Sequence, residues 1–121
     1  MSMKGREFFE LVNAKPIVVY DESRLDNEYT TVFASDLMSD ALAMVSGDAD
    51  ETVLITGLMN VQSLRTAEIL DVKVILFVRG KKPNQAMIDM SRELQIDMYG
   101  TDLMMFDTCG ILYAHGINGM K

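Results

Sequence analysis

VKVILFV, residues 72–78, is the stretch on which the fold turns. β-Branched and large aliphatic side chains run through it almost without alternation. A strand with one wet face alternates apolar and polar residues, whereas an unbroken apolar run has to bury both faces. Burial on both faces is what a central strand of a parallel sheet, covered by helices above and below, requires.

Working outward, VLIT (53–56) reads as a second strand of the same buried type, and VQSLRTAEILD (61–71) as a helix. Asn60 stands at that helix's cap position, and Val61, Leu64, Ala67 and Leu70 are spaced three apart along it. After the 72–78 strand, Pro83 takes a first-turn position of the next helix, with Met87, Met90 and Leu94 on its inner face. IDMY (96–99) is a short strand, and DLMMFDTCGILYAHG (102–116) is a last helix capped by Thr101 or Asp102. From residue 52 the order is thus strand and helix three times over, which right-handed crossovers turn into a parallel sheet.

Upstream the pattern is shorter. GREFFELVN (5–13) predicts a helix with Phe8, Phe9 and Val12 on one face, ended before Pro16. IVVY (17–20) and EYTTVFAS (28–35) predict strands flanking a polar loop, DESRLDN (21–27). Asp36 is the expected N-cap of LMSDALAMVS, whose stripe is Leu37, Ala41, Leu42 and Val45, with Gly47 as its stop. The expectation is a single domain over residues 1–121, a three-layer α/β/α domain with a largely parallel central sheet.

Composition narrows the function. Eighteen acidic against eleven basic residues give a net charge of −7, a field that repels nucleic-acid phosphates and anionic membrane surfaces. No apolar run approaches the roughly 18 residues of a spanning helix. Charges at Lys4, Arg6, Glu7 and Glu10 break any secretory apolar core, so a cytoplasmic location is expected. With Cys109 alone there is no internal disulfide and no cysteine-rich zinc site. The eleven methionines, most of them at helical spacing, are read mainly as core, with some left for a partner subunit.

Three strand-to-helix turns align in this scheme: TGLMN (56–60), RGKKPN (79–84) and YGTD (99–102). In an open parallel sheet such turns gather at the carboxyl ends of the strands, where ligands bind. Thr56, Gly57, Asn60, Arg79, Gly80 and Thr101 are the candidate ligand-binding residues, with Arg65 on the adjoining helix as a further phosphate partner. Arg79, Lys81 and Lys82 form a dense basic cluster, and helix N-termini attract anions. The same glycines, caps and proline also serve simply to end a strand and start a helix.

Enzymatic readings fare worse. TGLMNVQ has neither the glycine spacing of a dinucleotide fingerprint nor the Gly-Lys-Ser/Thr ending of a P-loop. Asp21 and Glu22 lack the later aspartate and lysine that a phosphorylatable receiver domain needs. Cys109 lies in an apolar helix, His115 serves a helix C-terminus, and Asp36 with Asp40 gives no metal-ligand spacing. No catalytic residue, metal or cofactor is therefore expected.

YDESRLDNEYTTVFASDLMSDAL, VLITGLMNVQSLRTAEILDVKVILFVRGKKPN and IDMYGTDLMMFDT together resemble the DRTGG family, over roughly residues 16 to 116. Asp26 and Thr30 fall on the naming pattern, while Asn27 replaces its arginine and Thr31 and Ser35 its glycines. The family is similar to the N-terminal domain of HPr kinase/phosphorylase, whose phosphoryl chemistry belongs to a separate P-loop domain. The resemblance implies a non-catalytic regulatory or dimerising module. Its relatives accompany CBS-containing pyrophosphatases or phosphate acetyltransferases, or stand alone beside iron-hydrogenase genes in anaerobes. The expected partners are a second copy of the chain, another protein, or an anionic metabolite or nucleotide sensed at the three turns.

Overall fold

The structure, a computed structural model, describes residues 2–44 and 48–119. In chain order its elements are β1 (Met3–Lys4), α1 (Gly5–Leu11), β2 (Lys15–Val18), β3 (Glu28–Tyr29), β4 (Thr31–Ala34), α2 (Met38–Met44), β5 (Thr52–Thr56), α3 (Val61–Leu70), β6 (Val74–Phe77), α4 (Gln85–Leu94), β7 (Asp97–Gly100), α5 (Met105–Ala114) and β8 (Asn118–Gly119). Short 3-10 turns at Glu22–Asp26 and Ala49–Glu51 lead into β3 and β5.

The main sheet has the order β2-β7-β6-β5-β4-β8. All its pairings are parallel except that of β2 with β7, which is antiparallel and slips register between Pro16 and Val18. Strands β4 to β7 are neighbours in sequence order, so α2, α3 and α4 cover one face. α5 returns across the other face and brings β8 beside β4. The fold is an α/β domain with a mostly parallel central sheet between helical layers.

Period-two alternation explains the two cores. Val53, Ile55, Val74, Leu76 and Tyr99 face α1 and α5, joining Phe8, Phe9, Val12 and Leu112. Leu54, Ile75, Phe77 and Met98 face the opposite layer, meeting Met38, Leu64, Ala67 and Met87. β6 occupies an interior position, and all four of its residues are buried, as its unbroken apolar run requires.

Several local expectations are corrected. The strand expected at 17–20 begins two residues earlier, since an edge strand tolerates Pro16. It stops at Val18, beyond which the Tyr20 and Asp21 N–H groups turn to the Asp97 carboxylate and Tyr20 is left half exposed. EYTTVFAS divides: Glu28–Tyr29 pairs antiparallel with β1, whereas Thr31–Ala34 joins the main sheet, and Thr30 between them donates to the Glu51 carbonyl. Of the stripe expected of α2, Ala41 is buried, but Leu42 and Leu37, the residue before the helix, are exposed, and Met38 turns inward instead. Val45 and the stop at Gly47 lie outside the described residues. Pro83 precedes the cap of α4 rather than entering its first turn, and Asn84 accepts the Met87 N–H. α5 starts at Met105 with no side-chain cap.

Candidate functional site

The turns after β4, β5, β6 and β7 lie side by side at the carboxyl edge of the sheet. Backbone hydrogen bonds continue past the strand ends and hold them there: Ser35 donates to Ile55, Val78 to Thr56, and Thr101 to Phe77. After β6 the chain makes an unusual corner. Arg79 and Gly80 both take left-handed conformations, φ 71° and 66°. Their N–H groups donate to the carbonyls of Leu103 and Thr101. The other described non-glycine residues of this kind, Asn13, Asp71 and Gln95, each follow a helix, where a left-handed residue is an ordinary terminator. Arg79 follows a strand, so its conformation needs another reason.

That corner sends the Arg79 side chain back across Gly57. Nη2 donates to the Gly57 carbonyl at 3.1 Å. A Cβ on Gly57 would lie 2.6 Å from Cζ and Nε of Arg79, and closer still to Nη2. The glycine is needed for this approach of the guanidinium, not for a backbone angle, since its φ is not positive.

Asp36 completes the cluster. Its Oδ1 accepts from the Gly57 N–H at 2.6 Å and from the buried Thr56 hydroxyl at 3.4 Å, while Oδ2 lies 3.6 Å from Arg79 Nη2. The expectation that Asp36 caps α2 is thereby corrected. Ser35 Oγ takes the Leu37 N–H instead, and the Leu37 carbonyl accepts from Asp40 and Ala41. The sequence signal for this was two consecutive cap-forming residues, Ser35 and Asp36, where one suffices.

Of the residues singled out from sequence, Thr56, Gly57 and Arg79 come together around Asp36. Gly80 forms the corner beside them, close to the Asp102 carboxylate. Asn60 caps α3 by accepting the Gln62 N–H at 3.0 Å. The Thr101 hydroxyl is turned into the core, donating to the Val12 carbonyl at 2.7 Å and accepting the Leu103 N–H. Arg65 is exposed on α3 and makes no hydrogen bond or ion pair with a described residue. Lys81 and Lys82 are exposed on the loop that leads from the corner to α4.

The opposite edge of the sheet is held differently. The Asp97 side chain is 1% exposed; its Oδ1 accepts from Tyr20 N–H at 2.7 Å, Asp21 N–H at 3.2 Å and Arg24 Nη1 at 3.2 Å. Burial pushes the Asp97 pKa up, against the pull of those donors and of the guanidinium. Oδ2 and the nearby Tyr99 hydroxyl are buried without hydrogen-bond partners. Tyr99 stacks on Phe9, and burial raises its phenol to about 12.

An apolar groove of about 630 Å³ runs between β4, α5 and β8, lined by Val32, Phe33, Met105, Phe106, Cys109 and Tyr113 among others. Phe106 and Tyr113 are strongly exposed on it. The Cys109 thiol is pushed up by burial, and the His115 ring sits against the Ile111 carbonyl. Among the described residues no three His, Cys, Asp or Glu side chains converge as a metal cage would, and no helix is long and apolar enough to cross a membrane.

No protein-family model and no curated protein matches the chain. Among solved structures, it is similar to the CBS and DRTGG domains of the regulatory region of Clostridium perfringens pyrophosphatase, a structure complexed with the activator diadenosine tetraphosphate. The TM-score is 0.66 at 14% identity, over 87% of this chain and 44% of that one. The likeness is one of fold, and the chain spans less than half the length of this neighbour.

Proposed function

We propose that the chain is a non-catalytic regulatory module of the DRTGG type, which senses an anionic small molecule of nucleotide or phosphorylated-metabolite class at the carboxyl edge of β5 and β6. The observation that carries this reading is Arg79, a left-handed residue after a strand whose guanidinium is laid over Gly57. Its Nη2 bonds the Gly57 carbonyl, leaving Nε and Nη1 without a hydrogen-bonded partner among the described residues. Guanidinium forks match phosphate oxygens in pairs, and the cation stands out in a chain of net charge −7. The pyrophosphatase neighbour supports the regulatory class, as a regulatory region complexed with a nucleotide activator. A thermal-shift series with nucleotides and phosphorylated metabolites tests the reading: a ligand at 100 times its Kd stabilises by about 2.7 kcal/mol. At the same ligand concentration the stabilisation should fall to about 0.4–1.4 kcal/mol in Arg79→Ala. A panel without effect, or a shift indifferent to Arg79, refutes the site.

The same module is proposed to be a homodimer through the β4–α5–β8 groove. Two chains of charge −7 repel each other over most of their surface, but the described groove lining is uncharged. α5 is apolar on nearly every side, yet leaves Phe106 and Tyr113 uncovered, which suits a helix packed against a second copy. Light scattering should give twice the chain mass, and Phe106→Glu should halve it. A wild-type monomer at high concentration removes the dimer.

A further inference from the structure

We propose that Asp36 is a built-in competing anion, a carboxylate of the chain itself that occupies the ligand site and must be displaced for an effector phosphate to bind. This deepens the proposed function and rests on its reading of the Arg79 turn. The geometry is that of a bound oxyanion. One carboxylate oxygen sits on the Gly57 N–H at 2.6 Å, with the Thr56 hydroxyl at 3.4 Å, and the other faces the Arg79 guanidinium at 3.6 Å. Two oxygens of a phosphate would meet the same donors.

Three features distinguish Asp36 from a fixed structural anion. Its side chain is 51% exposed, so it leaves toward water rather than through a core. The Arg79 contact is looser than the roughly 2.7–2.9 Å of a charge-assisted hydrogen bond, so the guanidinium is held near the carboxylate but not saturated by it. The start of α2 does not use the Asp36 side chain: Ser35 Oγ accepts the Leu37 N–H, and the Leu37 carbonyl accepts those of Asp40 and Ala41. Displacing the carboxylate removes the side-chain tie between the β4–α2 connection and the β5 turn, leaving among the described residues only the Ser35–Ile55 backbone bond there, and α2 is joined directly to that connection. Occupancy of the site is thereby coupled to the freedom of α2.

The test uses the whole chain, without magnesium, with ATP and inorganic tripolyphosphate as probes. Calorimetry gives affinity, and the backbone amide resonance of Gly57 reports the site. Asp36→Asn keeps an acceptor for the Gly57 N–H but removes the charge, so it should fold as wild type and bind about twofold more tightly. In the wild type the Gly57 amide should shift during the titration. Tighter binding of both probes assigns the site to phosphate chemistry, and of ATP alone to a nucleotide, with the competing-anion role upheld in either case. If Asp36→Asn binds no more tightly than wild type while Arg79→Ala binds at least about tenfold more weakly, the competing-anion role is overturned and the site reading survives. If neither protein shifts the Gly57 resonance with either probe, both are overturned.

Discussion

Gly57→Ala tests the contact on which the site depends. The added Cβ would collide with the far end of a flexible side chain, so the Arg79 guanidinium moves and the backbone stays. Two interactions are lost. The hydrogen bond from Nη2 to the Gly57 carbonyl contributes about 1 kcal/mol. The Asp36–Arg79 ion pair joins side chains 51% and 36% exposed, and solvent screening limits it to roughly 0.5 kcal/mol. Against these, an alanine that fits the native backbone stabilises by about 0.4–1 kcal/mol through the stiffer unfolded chain. The net change in stability is therefore within ~1 kcal/mol of zero.

Binding responds differently. An anion at the turn loses a charged hydrogen bond of about 1.5–3 kcal/mol, a ten- to hundredfold rise in Kd. Arg79→Ala should give a similar rise, and the double variant no more than either, because both remove one contact. Urea melts and calorimetric titration with ATP measure the two quantities on one preparation. Wild-type affinity in Gly57→Ala refutes the reasoning. So does a loss of more than about 3 kcal/mol of stability, which would show that the arginine is architecture.

Two further expectations concern the opposite edge. Arg24→Ala leaves the Asp97 carboxylate buried without its cation and should cost about 3 kcal/mol in urea melts at pH 7. Burial already raises the Asp97 pKa, and loss of the guanidinium raises it further. Stability gained by protonating Asp97 is complete below the unfolded value near ~3.9 and lost as pH rises through the folded value. The deficit should accordingly shrink on acidification, and a deficit unchanged all the way down to that unfolded value counts against the assignment. Tyr99→Phe removes a buried hydroxyl with no partner while keeping the ring on Phe9, so it should leave stability unchanged or raise it by about 1 kcal/mol. A clear fall in Tm would show that the hydroxyl is satisfied after all.

What could be read from sequence followed from how completely each segment is buried. β5 and β6 are covered on both faces, so burial writes itself into every residue, and 72–78 is unmistakable. Asn60 was legible because a polar residue before a helical stripe has one common job, and it performs it. β8 was not legible: Asn118–Gly119 is two residues long, exposed, and defined only by a neighbour far away in sequence. The stripe expected of α2 holds only at Ala41, since Leu37 and Leu42 are apolar yet exposed, and periodicity counts apolar residues without knowing which are covered. Asp36 was misassigned for a related reason. Capping is a local rule, whereas its actual partners, Gly57 and Arg79, lie 21 and 43 positions away and meet it only through sheet pairing.

The two ends of the sheet use the same chemistry, a carboxylate held by backbone N–H groups and a guanidinium, to opposite effect. At Asp97 the carboxylate is sealed, and breaking the pair strands a charge in the core, at a cost of about 3–5 kcal/mol. At Asp36 it is half in water, so departure from Arg79 costs roughly 0.5 kcal/mol and the remaining loss is the Gly57 hydrogen bond. An incoming phosphate restores that bond on the same donor, so the exchange is balanced to first order. Its sign is then set by what a third oxygen gains from Nε and Nη1 of Arg79, which the carboxylate does not reach. In the proposed reading, a rigid clamp at one edge and an exchangeable anion at the other make the carboxyl edge the place where binding alters the chain without unfolding it.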